Sequence, residues 1–162
     1  NWTGASMADT VEYIWGYGDN GTHVELCEFP ALICYDNGVI EAQWSHNQGL
    51  AGEFWPYFLY RYNAETDQYE ICGGADAWDK SVAKTKEQGE SFPEDIDADQ
   101  DGVVYYLLPA DWDGNYDMEP VDGAKYRTWR ESFLEGASKL DDIWFWDLKE
   151  ENIAILGAEK PD

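Results

Sequence analysis

Positive charge is what this chain has least of. Lysine and arginine are missing from its first sixty residues and again from Glu87 to Ala124, a stretch that holds twelve aspartates and glutamates. Across 162 residues, ten basic side chains, scattered from Arg61 to Lys160, stand against 34 acidic ones, for a net charge of −24. Such a surface repels phosphate backbones and anionic headgroups, and no basic cluster exists to release their counterions. Nucleic acid and anionic membranes are therefore excluded as partners. Long apolar runs are missing too. None approaches the roughly 18 residues of a membrane span, so no direct insertion in a membrane is expected. No export signal is visible, and the start at Asn1, without an initiator methionine, is the one expected of a mature or trimmed chain. Cysteine is sparse: Cys27, Cys34 and Cys72 are too few for a disulfide framework and lack zinc-ligand spacing. Free thiols buried in strands are expected, with a Cys27–Cys34 bridge across a turn at Glu28-Phe29-Pro30 as the alternative. Nucleophile-elbow, zincin, phosphate-loop and dinucleotide patterns are all absent, so no catalytic residue is assigned.

What is abundant is aromatic. Nine Trp and eleven Tyr, within a hydrophobic fraction of 44%, supply a core that an acidic disordered tail would not have. One domain over residues 1–162, monomeric, is the expectation. "YGDNGTHVEL" and "CYDNGVIEAQ" each place Asn-Gly between strand formers. That dipeptide favours a two-residue turn in which both central residues take positive φ, which puts Asn20-Gly21 and Asn37-Gly38 at hairpin tips. The strands are expected at 10–17, 22–27, 32–35 and 39–44. "WPYFLYRYN" and "QYEICGG" flank "AETD" as a third hairpin, and "GVVYYLLP" adds a strand ended by Pro109.

After residue 120 the period changes. Tyr126, Trp129, Phe133, Leu134, Ala137 and Leu140 recur at helical spacing, Asp122 is placed to cap the N-terminus, and a second short helix is expected at 150–156, ended by Gly157. The fold class is α+β: an antiparallel β-meander of about six to seven strands over residues 10–108, with a helical C-terminal part over 122–157 packed on one face.

Taken together, the phrases "ELCEFPALICYDNGVIEAQWSHNQG", "FWPYFLYRYNAETDQYEICGGADAWDKS", "DGVVYYLLPADWDG" and "YRTWRESFLEGASKLDDIWFWDLKEENIAIL" resemble uncharacterised secreted or lipid-anchored proteins of gut Firmicutes. In many of those proteins a D-x-D-G-D-G loop like those of FG-GAP and VCBS repeats stands upstream. The resemblance implies an extracellular or cell-surface-anchored location. This chain lacks the upstream loop, so the metal site of that loop is not carried over.

Two stretches carry candidate chemistry. In "DIDADQDGVVYYLL", Asp97, Asp99 and Asp101 match positions 1, 3 and 5 of a calcium loop, Gly102 the turn, and Val103 a carbonyl ligand. Position 12 is Leu108 and the flanks are not helical, which excludes an EF-hand. The expectation is a non-helical Ca²⁺ loop with a further ligand from Asp95, Asp111, Asp113 or Asp117, set against a solvated acidic turn. In "QWSHNQGLAGEFWPY", Trp44, His46, Asn47, Gln48 and Trp55 combine indole faces with amides, as sugar recognition does, set against a connection whose tryptophans belong to the core. The leading reading is an extracellular, non-enzymatic binding or interaction module stabilised by calcium, with a carbohydrate or another surface protein as partner. A glycan-directed hydrolase using a carboxylate pair, and a structural domain of a larger lipoprotein, are the alternatives.

Overall fold

The computed structural model describes residues 12–18, 21–44, 49–86 and 89–140. Strands β1 (Glu12–Gly18) and β2 (Gly21–Phe29) form an antiparallel pair of their own. Five further strands follow: β3 (Ala31–Cys34), β4 (Val39–Gln43), β5 (Tyr57–Asn63), β6 (Gln68–Asp79) and β7 (Val103–Leu108). They lie in the sheet order β3-β4-β5-β6-β7 with every neighbour antiparallel. The expected continuous meander is thus two ladders. The break falls at Pro30, between β2 and β3, where the ring leaves no N–H to donate to a ladder.

Turn chemistry differs in detail from the expectation. Gly18 pairs with Gly21, so Gly21 belongs to the first ladder and not to the centre of a turn; Asn20 lies outside the described residues. At the second hairpin Tyr35 N donates to Val39 O and Gly38 N to Tyr35 O, at 2.9 and 3.0 Å. Only Gly38 in this loop has positive φ, 79°. This is a three-residue connection built on a type I turn with a glycine bulge. It leaves the Asn37 amide free for other work: Oδ1 accepts from Val39 N at 3.1 Å, and Nδ2 donates to Phe133 O at 2.8 Å, capping a carbonyl near the end of the helix.

The one described helix, α1 (Gly123–Leu134), starts as expected at Asp122, whose side chain accepts from Ala124 N. It stops earlier than the apolar spacing suggests. Gly136 turns into positive φ at 71°, Ala137 N closes onto Leu134 O, and Leu140 is exposed, its N–H donating to Cys34 O at the sheet edge. The expected helix at 150–156 lies outside the described residues.

Alternation sorts the sheet into two faces. On one, Val39, Tyr57, Leu59 and Ala75 are buried with Leu134, and Tyr126, Trp129 and Phe133 of α1 pack against them. On the other, Trp78, Val104, Tyr106 and Leu108 are buried under Phe92, with Phe58, Ile96 and Trp112 around them. Cys34 and Cys72 are free, half-buried thiols, so the alternative of a bridge at Cys34 is not taken up; the Cys27 side chain lies outside the described residues.

Candidate functional site

The acidic loop between β6 and β7 is held by its own hydrogen bonds. Asp97 is buried, 6% exposed, and its Oδ2 accepts from Gly102 N at 3.0 Å. Asp101 Oδ1 accepts from Val103 N at 2.8 Å, and Val103 opens β7 opposite Asp79. Gln100 and Gly102 both take positive φ, 58° and 83°, and fold the loop back on itself.

That loop docks on the start of α1. Asp122 Oδ1 accepts from Ala98 N at 2.9 Å while Oδ2 accepts from Ala124 N at 3.1 Å, so one carboxylate ties the loop to the helix it caps. These backbone N–H groups, Ala124 foremost, hold the Asp122 carboxyl below the usual carboxylate range against the opposing effect of burial. Asp97, Asp99 and Asp122 converge, with one oxygen from each lying within 4.8 Å of the others. Three oxygens so spaced can share an ion at the roughly 2.4 Å of a calcium bond. Asp97 Oδ1 is buried and has no hydrogen-bond partner. Gly123 keeps the space open, since a Cβ there would lie 3.4 Å from Asp99 Oδ2 and 3.1 Å from Arg127 Nη1. Among the described residues the only cation paired with the trio is Arg127, 3.9 Å from Asp99 and 60% exposed, which is a weak substitute for a metal.

The structure therefore brings together Asp97 and Asp99 of the expected ligands and adds a third carboxylate that was not among them. Asp101 is not among the clustered carboxylates, because its carboxylate turns toward the Val103 N–H, while Val103 follows in the same loop and opens β7. Neither Asp95, Asp111, Asp113 nor Asp117 supplies the third carboxylate. Asp122 does, and the signal that marked it in the sequence, a helix-capping position, pointed to a different role.

A second site opens on the sheet face opposite α1, a cleft of about 570 Å³. Its walls come from β6 (Asp76, Trp78), β7 (Tyr106), the loop after β4 (Trp44, Leu50) and the segment 115–117. Tyr116 donates to Asp76 Oδ2 at 2.6 Å and Ala77 N to Asp76 Oδ1 at 2.7 Å, yet burial still raises the Asp76 carboxyl above the usual range. Lys86 lies 4.7 Å from the Trp78 ring centre and 4.9 Å from that of Tyr106, and donates to the Tyr106 hydroxyl oxygen and to Glu90 Oε2. Of the expected sugar-binding residues, Trp44 lines this cleft and stacks on Phe58. Its indole N–H is buried without a partner. Trp55 is half-buried and not in the lining, although the next residue, Pro56, is. His46, Asn47 and Gln48 lie outside the described residues. Asp76, Lys86 and Tyr116 carried no local pattern, and only the topology assembles them.

No family model, no characterised protein and no solved structure matches this chain.

Proposed function

We propose that this chain is a non-enzymatic binding module of the extracellular cell surface, stabilised by one Ca²⁺ ion on Asp97, Asp99 and Asp122, with its ligand taken in the aromatic cleft. The observation that carries the ion is the buried Asp97 Oδ1 without a partner, beside two further carboxylates. An unsatisfied buried carboxylate oxygen costs free energy, and like charges this close raise the cost. A divalent cation supplies both the missing partner and the missing charge. All-oxygen donors suit calcium over zinc, and a loop built on two positive-φ residues suits calcium's tolerant geometry over the strict octahedron of magnesium. Calcium sites of extracellular modules bind at about 10⁻⁴ to 10⁻³ M, which fits a surface location and the likeness to secreted proteins. Binding is favoured over hydrolysis because Asp76, the most buried carboxylate of the cleft, is held still as an acceptor by Tyr116 and Ala77.

Thermal unfolding with calcium, and with magnesium at equal concentration, tests the site. At calcium near 100 times Kd the folded state gains about 2.7 kcal/mol. The midpoint should rise with calcium, rise less with magnesium, and respond weakly in Asp97→Asn. Equal shifts with both metals, or an unchanged response in the variant, would mean that the loop is a solvated acidic turn.

A further inference from the structure

The ligand class of the cleft follows from which hydrogen-bonding capacity it leaves unspent, and this step rests on the binding-module reading above. The cleft lies within the size range of small-molecule sites, where apolar walls and a few placed polar groups set specificity. An anion is disfavoured. Among the described residues, Asp76, Glu90 and Asp117 line the cleft against a single ammonium, Lys86, which Glu90 already neutralises at 2.9 Å. An organic cation is disfavoured as well, because the ring faces that would cage it, Trp78 and Tyr106, are already occupied by the Lys86 ammonium.

What remains is a mixture of donors and acceptors beside aromatic rings. Each oxygen of Asp76 accepts one hydrogen bond, from Ala77 N and from Tyr116 O–H, and a carboxylate offers about four lone-pair positions. Among the described residues Lys86 spends two of its three ammonium protons, on Tyr106 and Glu90. Asn115 spends one amide proton on Asp117 Oδ2. The Trp44 indole N–H has no acceptor but is buried, so Trp44 offers the cleft its ring and reports on it without hydrogen-bonding a ligand. Vicinal hydroxyls both donate and accept, so a neutral saccharide can answer Asp76, Lys86 and Asn115, while its C–H face meets the rings, that of Trp44 among them. We infer that the cleft takes a neutral saccharide, oriented by hydroxyl hydrogen bonds to Asp76, Lys86 and Asn115.

The test uses the full chain at saturating calcium and again in chelator. Its probes are a soluble panel of neutral and uronic-acid oligosaccharides and tetramethylammonium chloride, followed through the Trp44 indole N–H resonance. A neutral oligosaccharide should move that resonance. Asp76→Asn, which keeps the shape and removes the charge, should weaken its binding about tenfold, the loss of one hydrogen bond to a charged group. Asn115→Ala, on an exposed segment, should weaken it with the thermal midpoint unchanged, which separates binding from folding. A response to tetramethylammonium alone, or a preference for uronic acids, would overturn the saccharide assignment while leaving a binding cleft. Silence toward all three probes would overturn the assignment and the cleft's role together. A saccharide response that persists in chelator would leave the inference standing and count only against coupling to calcium.

Discussion

The two faces of the five-stranded sheet are covered in opposite ways. Toward α1 the sheet is closed by a helix whose polar groups are answered. Arg130 Nη2 reaches Glu41 Oε2 and Tyr35 O–H at 2.7 Å each, Tyr57 and Tyr126 hydroxyls meet at 3.0 Å, and the Tyr105 and Tyr126 rings stack at 4.2 Å. The opposite face is covered by loops, and there polar groups and rings are left facing a cavity. A helix presents a continuous apolar stripe to a sheet and seals it. Loops carry backbone and side-chain polar groups that must be satisfied individually. The difference divides the molecule into a closed face and an open face, and the acidic trio joins the loop before β7 to the first turn of α1.

The largest way to break this division is on the closed face. Glu41 is 5% exposed, and removing Arg130 leaves its charge buried with only the Tyr35 hydroxyl, at 3.3 Å, and no counter-charge. Arg130→Ala should cost about 3 kcal/mol in urea unfolding, the low end for a broken buried pair because Arg130 itself is one-third exposed. A double-mutant cycle with Glu41→Gln should show strong coupling. Additive losses would mean that the pair contributes packing alone.

Two adjacent glycines on β6 sharpen the comparison, one per face. A Cβ on Gly74 would lie 2.8 Å from Phe58 Cδ1 and 2.9 Å from the Tyr57 carbonyl oxygen, a backbone atom that cannot step aside. A Cβ on Gly73 would meet Trp129 at 3.0 Å and Phe133 at 3.3 Å, side chains that can shift with the helix. Gly74→Ala should therefore destabilise by about 2 kcal/mol and Gly73→Ala by about 1 kcal/mol. Equal costs would mean that the helix is as rigid as the sheet.

The smallest effect is a pH dependence on the open face. Burial places the folded Asp76 carboxyl above its ordinary value of 3.8, so the folded state favours the proton and its charge is a penalty. That penalty is absent below the ordinary value. It grows as pH rises through the folded value and is complete above it. The groups lining the cleft with Asp76 that can modify this are Lys86, Glu90, Tyr106, Tyr116 and Asp117. The stability difference between Asp76→Asn and the parent should shift in favour of the variant as pH rises from about 3 to 7. A flat difference would mean that Tyr116 and Ala77 compensate the burial in full.

How far the fold could be read from residues depends on how local each determinant is. Alternation in "FLYRYN" and "VVYYLL" and the capping position of Asp122 are local, and the strands and helix start follow. The type of the Asp36-Asn37-Gly38 turn was misjudged because Asn37 has a competing use, capping a helix carbonyl 96 residues away. The helix end was misjudged because apolar spacing continues past Gly136, where backbone conformation overrides it. At the acidic loop, Asp97 and Asp99 were legible from spacing. Asp101 fits the spacing of a loop that wraps its ion, whereas here the Val103 N–H, two residues on, claims its carboxylate. The cleft joins segments from Trp44 to Asp117, and no window of sequence displays it.

The ion site can be tested most directly by terbium luminescence, with Tyr105 as the sensitiser, since the charges of Asp101, Asp99 and Asp122 reach that hydroxyl and, after burial, help raise its pKa. The parent chain should show saturable terbium emission that calcium displaces and added sodium chloride does not. Asp101→Asn should retain it and Asp97→Asn should lose it. Emission that survives Asp97→Asn, or that vanishes in Asp101→Asn alone, would contradict the site at Asp97, Asp99 and Asp122.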